Sequence, residues 1–101
     1  MDFTKANLRG ANLTGAVLKD TKLNFADLTN VVLTNVTWRN CIMDGTKLDG
    51  VKLMQFDLDS VEIIEMLSKA DIKNANWMGI TEKQKEKLLH KNIFYMAIYS
   101  K

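Results

Sequence analysis

A five-residue unit repeats without insertion or deletion from Met1 to Ser60, and nothing else in the chain constrains its fold as tightly. It is plainest in Ala6-Asn7-Leu8-Arg9-Gly10 and Ala11-Asn12-Leu13-Thr14-Gly15. The central position holds Phe3, Leu8, Leu13, Leu18, Leu23, Leu28, Leu33, Trp38, Met43, Leu48, Leu53 and Leu58, so all twelve are large and apolar. Two residues earlier stand small or β-branched side chains such as Ala6, Ala11, Ala16, Val31, Val36 and Val51. Two residues later, eight of twelve positions are Gly, Asn or Asp, the types that tolerate positive φ and build tight turns. The positions between read as polar and outward.

A period of five fits neither a helix, at 3.6, nor a plain strand, at 2. Two inward residues spaced two apart are strand-like, and the remaining residues turn a corner. A chain that turns at each fifth residue winds around an axis. Its successive layers can then exchange backbone hydrogen bonds at a spacing of ~4.8 Å. The chain has no proline, so glycine and asparagine must make the corners.

The runs Ala6-Asn7-Leu8, Ala11-Asn12-Leu13 and Ala26-Asp27-Leu28 resemble the A-(N/D)-L-x-x signature of the pentapeptide-repeat family. The resemblance covers residues 1–60, with a partial return at 70–79. It implies a mainly β fold: a right-handed quadrilateral β-helix with four pentapeptides per coil and about three to four coils. Leu8 should then stack on Leu28 and Leu48, Leu13 on Leu33 and Leu53, and Leu18 on Trp38 and Leu58. The small positions grow from Ala16 through Val36 to Phe56, so the core should widen along the chain. Trp38 should distort its column or turn its ring partly outward. Phe25, at a corner, is expected in solvent or at a contact, and Cys41 is expected as a buried, inert thiol.

After Ser60 the register is lost. Residues 61–69 have helical spacing, with Asp59 as the expected N-cap and Glu62 as its capping-box partner. The five-residue pattern returns in Ala70-Asp71-Ile72-Lys73-Asn74 and Ala75-Asn76-Trp77-Met78-Gly79, an incomplete fourth coil. Thr81 and Gln84 then form a second capping-box pattern that opens a helix over 81–101. Its end also has the composition of a strand; helix is preferred because the segment continues a capped helix. All four segments belong to one domain.

A solenoid exposes an unpaired layer at each end. The C-terminal helix is the expected cap at one end. At the other, either Met1 and Phe3 close the layer, or a partner covers it, or the chain continues a longer protein. The tail is apolar on more than one face, which points to a homodimer or a protein partner bound through Phe94, Tyr95, Ile98 and Tyr99. The alternative is that all four pack on the end of the rod.

Charge and chemistry narrow the function classes. Residues 1–60 carry seven Lys or Arg against seven Asp, so the repeat is neutral. A DNA mimic of the topoisomerase-protecting kind found in this family would need about eight net negative charges over such a rod. The neutral repeat disfavours that reading, and no basic stripe suggests nucleic-acid binding. No nucleophile–base pair, carboxylate pair, metal cluster or phosphate loop is present, and His90 stands alone, so neither enzyme nor cofactor is expected. One cysteine excludes a disulfide framework. No apolar run is long enough for a signal peptide or a membrane span. The chain therefore reads as a cytoplasmic, non-catalytic scaffold or protein–protein interaction module.

Overall fold

The computed structural model describes residues 1–93. Its corners follow directly from backbone conformation. Lys5, Gly10, Gly15, Asp20, Phe25, Asn30, Asn35, Asn40, Gly45 and Gly50 all have positive φ, between 52° and 74°. At each of the first corners the N–H of the next residue bonds back to the preceding central carbonyl: Ala6 to Phe3 at 2.9 Å, Ala11 to Leu8 at 3.0 Å. Positive φ at the third of four residues, closed by that bond, is a type II turn.

The Asn/Asp position of the repeat has a job that its outward placement did not reveal. Its side-chain oxygen accepts the N–H two residues on: Asp2 from Thr4, Asn7 from Arg9, Asn12 from Thr14, Asp27 from Thr29, Asp71 from Lys73 and Asn76 from Met78. Each of these six units thus carries its own Asx turn, which steers the chain into the corner.

Through the first two coils, residues at this position also lie beside their counterparts twenty residues later. Parallel bridges join Asp2 to Lys22 and Lys22 to Ile42, Asn7 to Asp27 and Asp27 to Lys47, and Asn12 to Val32. Regular strand is short: β1 (Val17–Lys19) and β2 (Thr37–Arg39) pair in parallel, with Leu18 opposite Trp38. Trp38 therefore leaves the backbone ladder intact. Its ring is half-buried and stacks on Phe56, with centroids 5.5 Å apart.

Inside, Leu23, Leu28, Leu33, Met43, Leu48 and Leu53 are essentially solvent-free. Burying one such side chain contributes roughly 1.5–3 kcal/mol. Threonines at the small positions satisfy themselves: Thr46 Oγ1 donates to Leu23 O at 2.6 Å and Thr21 Oγ1 to Lys19 O at 3.1 Å. Cys41 is half-buried rather than buried, and its Sγ lies 3.0 Å from Leu18 O. In the first twenty residues only Leu18 is buried; Phe3, Leu8 and Leu13 have a layer on one side alone.

The ladder changes past Gly50. Leu53–Gln55 is a 3-10 turn, and neither Gln55 nor Ser60 has positive φ. Here Leu33 N–H donates to Gln55 Oε1 at 2.8 Å, a side chain standing in for a neighbouring backbone carbonyl.

Two helices follow. Helix α1 (Val61–Leu67) is capped by Ser60, whose hydroxyl accepts from Ile63 N, and not by the expected Asp59. Asp59 cannot serve because the helix begins one residue later. Glu62 turns away from any capping box and accepts from Asn40 N–H at 3.3 Å. Ile63, Ile64, Met66 and Leu67 are buried and join the repeat's core. The repeat then resumes: Asp71 pairs with Lys47 and Asn76 with Lys52, an offset of twenty-four. The helix has inserted four residues into a twenty-residue interval without disturbing the parallel pairing.

Helix α2 (Glu82–Lys91) opens on a complete capping box between Thr81 and Gln84 and packs against α1. The helix expected to run on from Thr81 breaks at Asn92, whose backbone is extended. The cause is its side chain: Asn92 Nδ2 donates to Leu67 O at 2.8 Å and to Ala70 O at 2.9 Å, in full burial.

Candidate functional site

The residues expected at a partner interface, Phe94, Tyr95, Ile98 and Tyr99, lie outside the described residues. Among the described residues no group of His, Cys, Asp or Glu is placed to hold a metal ion, and no helix is long and apolar enough to cross a membrane. His90 is exposed, and its nearest acid is Glu86, at 3.7 Å.

The outer faces differ in how far they satisfy themselves. One carries the bridged column Asn7, Asp27, Lys47 and Asp71. Arg9 lies 3.4 Å from Asp27 on it, and Lys47 lies 3.7 Å from Asp49. Hydrogen bonds from the Thr29 hydroxyl and N–H, and then the nearby cations, hold the Asp27 carboxyl below the usual carboxylate range. Charges alternate along this face, so it has little to offer a partner.

Another face is largely uncharged. A shallow groove of about 480 Å³ is lined by residues that include Val32, Thr34, Asn35, Lys52, Met54 and Gln55. It opens where Leu53–Gln55 leaves the ladder, and Gln55 pins that wall by bonding Leu33 N–H, with its Nε2 donating to Lys52 O at 3.0 Å. Lys52 is the sole charge among the lining residues. Met54 is 58 % exposed, and its Cε and Sδ lie against Gly79. The next methionine, Met78, is 77 % exposed and holds the same place two residues beyond Asn76 that Met54 holds beyond the paired Lys52.

This run was missed because the positions around each central residue read as uniformly polar. Val17, Val32, Ile42, Met54 and Met78 break that rule and are all exposed. The signal was the apolar residue type itself at an outward position. The groove is different: it depends on Gln55 reaching a residue twenty-two places away. Phe25 is likewise exposed, as a corner position requires.

Comparison with known proteins gives one match. A family model described as pentapeptide repeats finds eight copies, over residues 2–35 and 21–59. No curated protein and no solved structure shows a match to the chain. Pentapeptide repeats usually form a β-helix, in keeping with the parallel bridges and positive-φ corners seen here. The matched units span more than half of the sequence in the register set by its leucines, and the chain belongs to the pentapeptide-repeat family.

Proposed function

We propose that this protein is a non-catalytic interaction or scaffold module that presents one uncharged face to a protein partner. The rod is read as a right-handed quadrilateral β-helix of about three coils and a partial fourth, interrupted by α1 and capped by α2. Its period supports this: each bridged pair up to Lys47 is separated by twenty residues, four pentapeptides.

The observation that carries the functional reading is the exposed apolar run of Val32, Met54 and Met78 beside a groove with a single charge. Methionine at a binding surface adapts its shape to a partner at low cost. The polar columns elsewhere are occupied by their own Asx turns and ion pairs. A cytoplasmic partner, or a second copy meeting Phe94, Tyr95, Ile98 and Tyr99, fits the same non-catalytic role.

The test is affinity capture from the native host with the wild-type chain and with a Val32→Lys/Met54→Lys variant. The wild type should retain a partner that the variant loses while keeping its circular dichroism spectrum. Equal recovery by both would refute the assignment of this face.

A further inference from the structure

The side-chain amide of Gln55 replaces one backbone bond of the ladder, and we propose that the gap it fills is a slot for an extended peptide strand lying parallel to residues 31–35. This deepens the reading of this face as a partner surface and rests on it.

The regular ladder sets the comparison. Leu28 N–H donates to Lys47 O at 2.9 Å, Lys47 N–H to Ala26 O at 3.0 Å and Asn30 N–H to Asp49 O at 2.9 Å. Five residues on, the corresponding bonds would join Leu33 N–H to Lys52 O, Lys52 N–H to Val31 O and Asn35 N–H to Met54 O. None of the three forms. Val31 C=O, Lys52 N–H and Asn35 N–H have no hydrogen-bond partner among the described residues. Val31 is 3 % exposed, so its carbonyl has little access to water either.

The carboxamide of Gln55 stands between the two segments instead. Its Oε1 accepts from Leu33 N–H at 2.8 Å and from the Thr34 hydroxyl at 3.3 Å, and its Nε2 donates to Lys52 O at 3.0 Å. A carboxamide carries the acceptor and the donor of one peptide group. The gap is therefore held open by the width of one peptide unit, as an inserted strand requires.

The open groups also fix the direction and composition of that strand. On one side they belong to Val31 and Leu33, which flank an outward residue; on the other they belong to Lys52 alone. This is the pattern of parallel pairing. A peptide residue set between Val32 and Lys52 donates its N–H to Val31 O and offers its C=O to Leu33 N–H, displacing Gln55. The residue after it donates to Lys52 O, and the residue before it accepts from Lys52 N–H. The carbonyl two residues on accepts from Asn35 N–H. Main-chain bonds of this kind supply affinity, and alternate side chains supply selectivity. Leu33 and Leu53 are solvent-free, so side chains turned inward must be glycine or alanine. Outward, Lys52 is the sole charge of the groove, and Val32 and Met54 are exposed. The strand that fits has an acidic residue beside Lys52 and an apolar one beside Met54.

The experiment titrates the isotope-labelled full chain with acetyl-Thr-Gly-Glu-Gly-Val-Gly-amide and follows each amide by NMR. Binding should have a Kd of order 100 µM. The Leu33, Asn35 and Lys52 amides should shift, those of Asn35 and Lys52 should slow in exchange, and the Gln55 side-chain signals should move to those of free glutamine. N-methylation of the glutamate nitrogen removes the donor to Val31 O and should weaken binding about tenfold. A peptide that binds equally well when N-methylated, or leaves the three amides unmoved at ~5 mM, would overturn the slot. The same shifts on concentrating the chain alone would assign the slot to a second copy and overturn the peptide as occupant. A native partner lost from Val32→Lys/Met54→Lys, with no response to the peptide, would overturn the slot and leave the proposed function standing.

Discussion

The ring of Phe25 occupies the space a side chain on Gly45 would need: a Cβ built there would lie 2.5 Å from both Cδ1 and Cε1 of the ring. The two residues hold equivalent corners one layer apart, and both have positive φ. A phenylalanine at a positive-φ corner is therefore bound to a glycine twenty residues later. Gly45→Ala should destabilise the protein by about 2–4 kcal/mol, from the positive φ and the overlap together. Gly10→Ala, with nothing within 4 Å of its Cβ, should lose only about 1 kcal/mol. Adding Phe25→Ala to Gly45→Ala should recover the difference, and urea unfolding of Phe25→Ala, Gly45→Ala and the double variant measures the coupling.

Burial rises from the first layer to the second, so equal substitutions should differ in cost. Leu48, fully buried, should lose about 3–5 kcal/mol on truncation to alanine, and the half-exposed Leu8 about 1–2 kcal/mol. Thermal unfolding of the pair tests whether the first layer is energetically marginal.

Asn92 joins the end of α2 to the end of α1 through the Leu67 and Ala70 carbonyls. Asn92→Ala leaves both without this donor and should destabilise by about 1–3 kcal/mol. Exchange of the α2 amides should accelerate before that of Leu28 or Leu48, because the helix loses its anchor while the repeat keeps its ladder.

Glu65 accepts a hydrogen bond from the Lys91 ammonium, which holds its carboxyl below the usual range. Thr4 does the same to Asp2, and Thr29 to Asp27, through side-chain and backbone hydrogen bonds. A folded pKa below the unfolded value stabilises the fold above the unfolded value, about 4, and that contribution is lost as pH falls through the folded one. The unfolding midpoint should therefore drop on acidification below about pH 4.5. Glu65→Gln should flatten part of that dependence, as a pH series of urea melts will read.

The sequence alone determined the period, the inward columns and the corners. A large apolar residue at each fifth place, with Gly, Asn or Asp two residues on in eight of twelve units, leaves the backbone few other conformations, because steric limits on φ act locally. The capping box of Thr81 and Gln84 was legible for the same reason: both partners lie within one helical turn. The cap of α1 was legible to within one residue, since Asp59 and Ser60 are both competent caps and only the helix start chooses between them. What only the tertiary structure decided depends on residues far apart in the chain. Gln55 reaching Leu33 N–H, Phe25 covering Gly45 and the fit of a four-residue insertion into the ladder are such cases. Each follows from which side chain meets which neighbour across layers, and a repeat read along the chain carries no record of that.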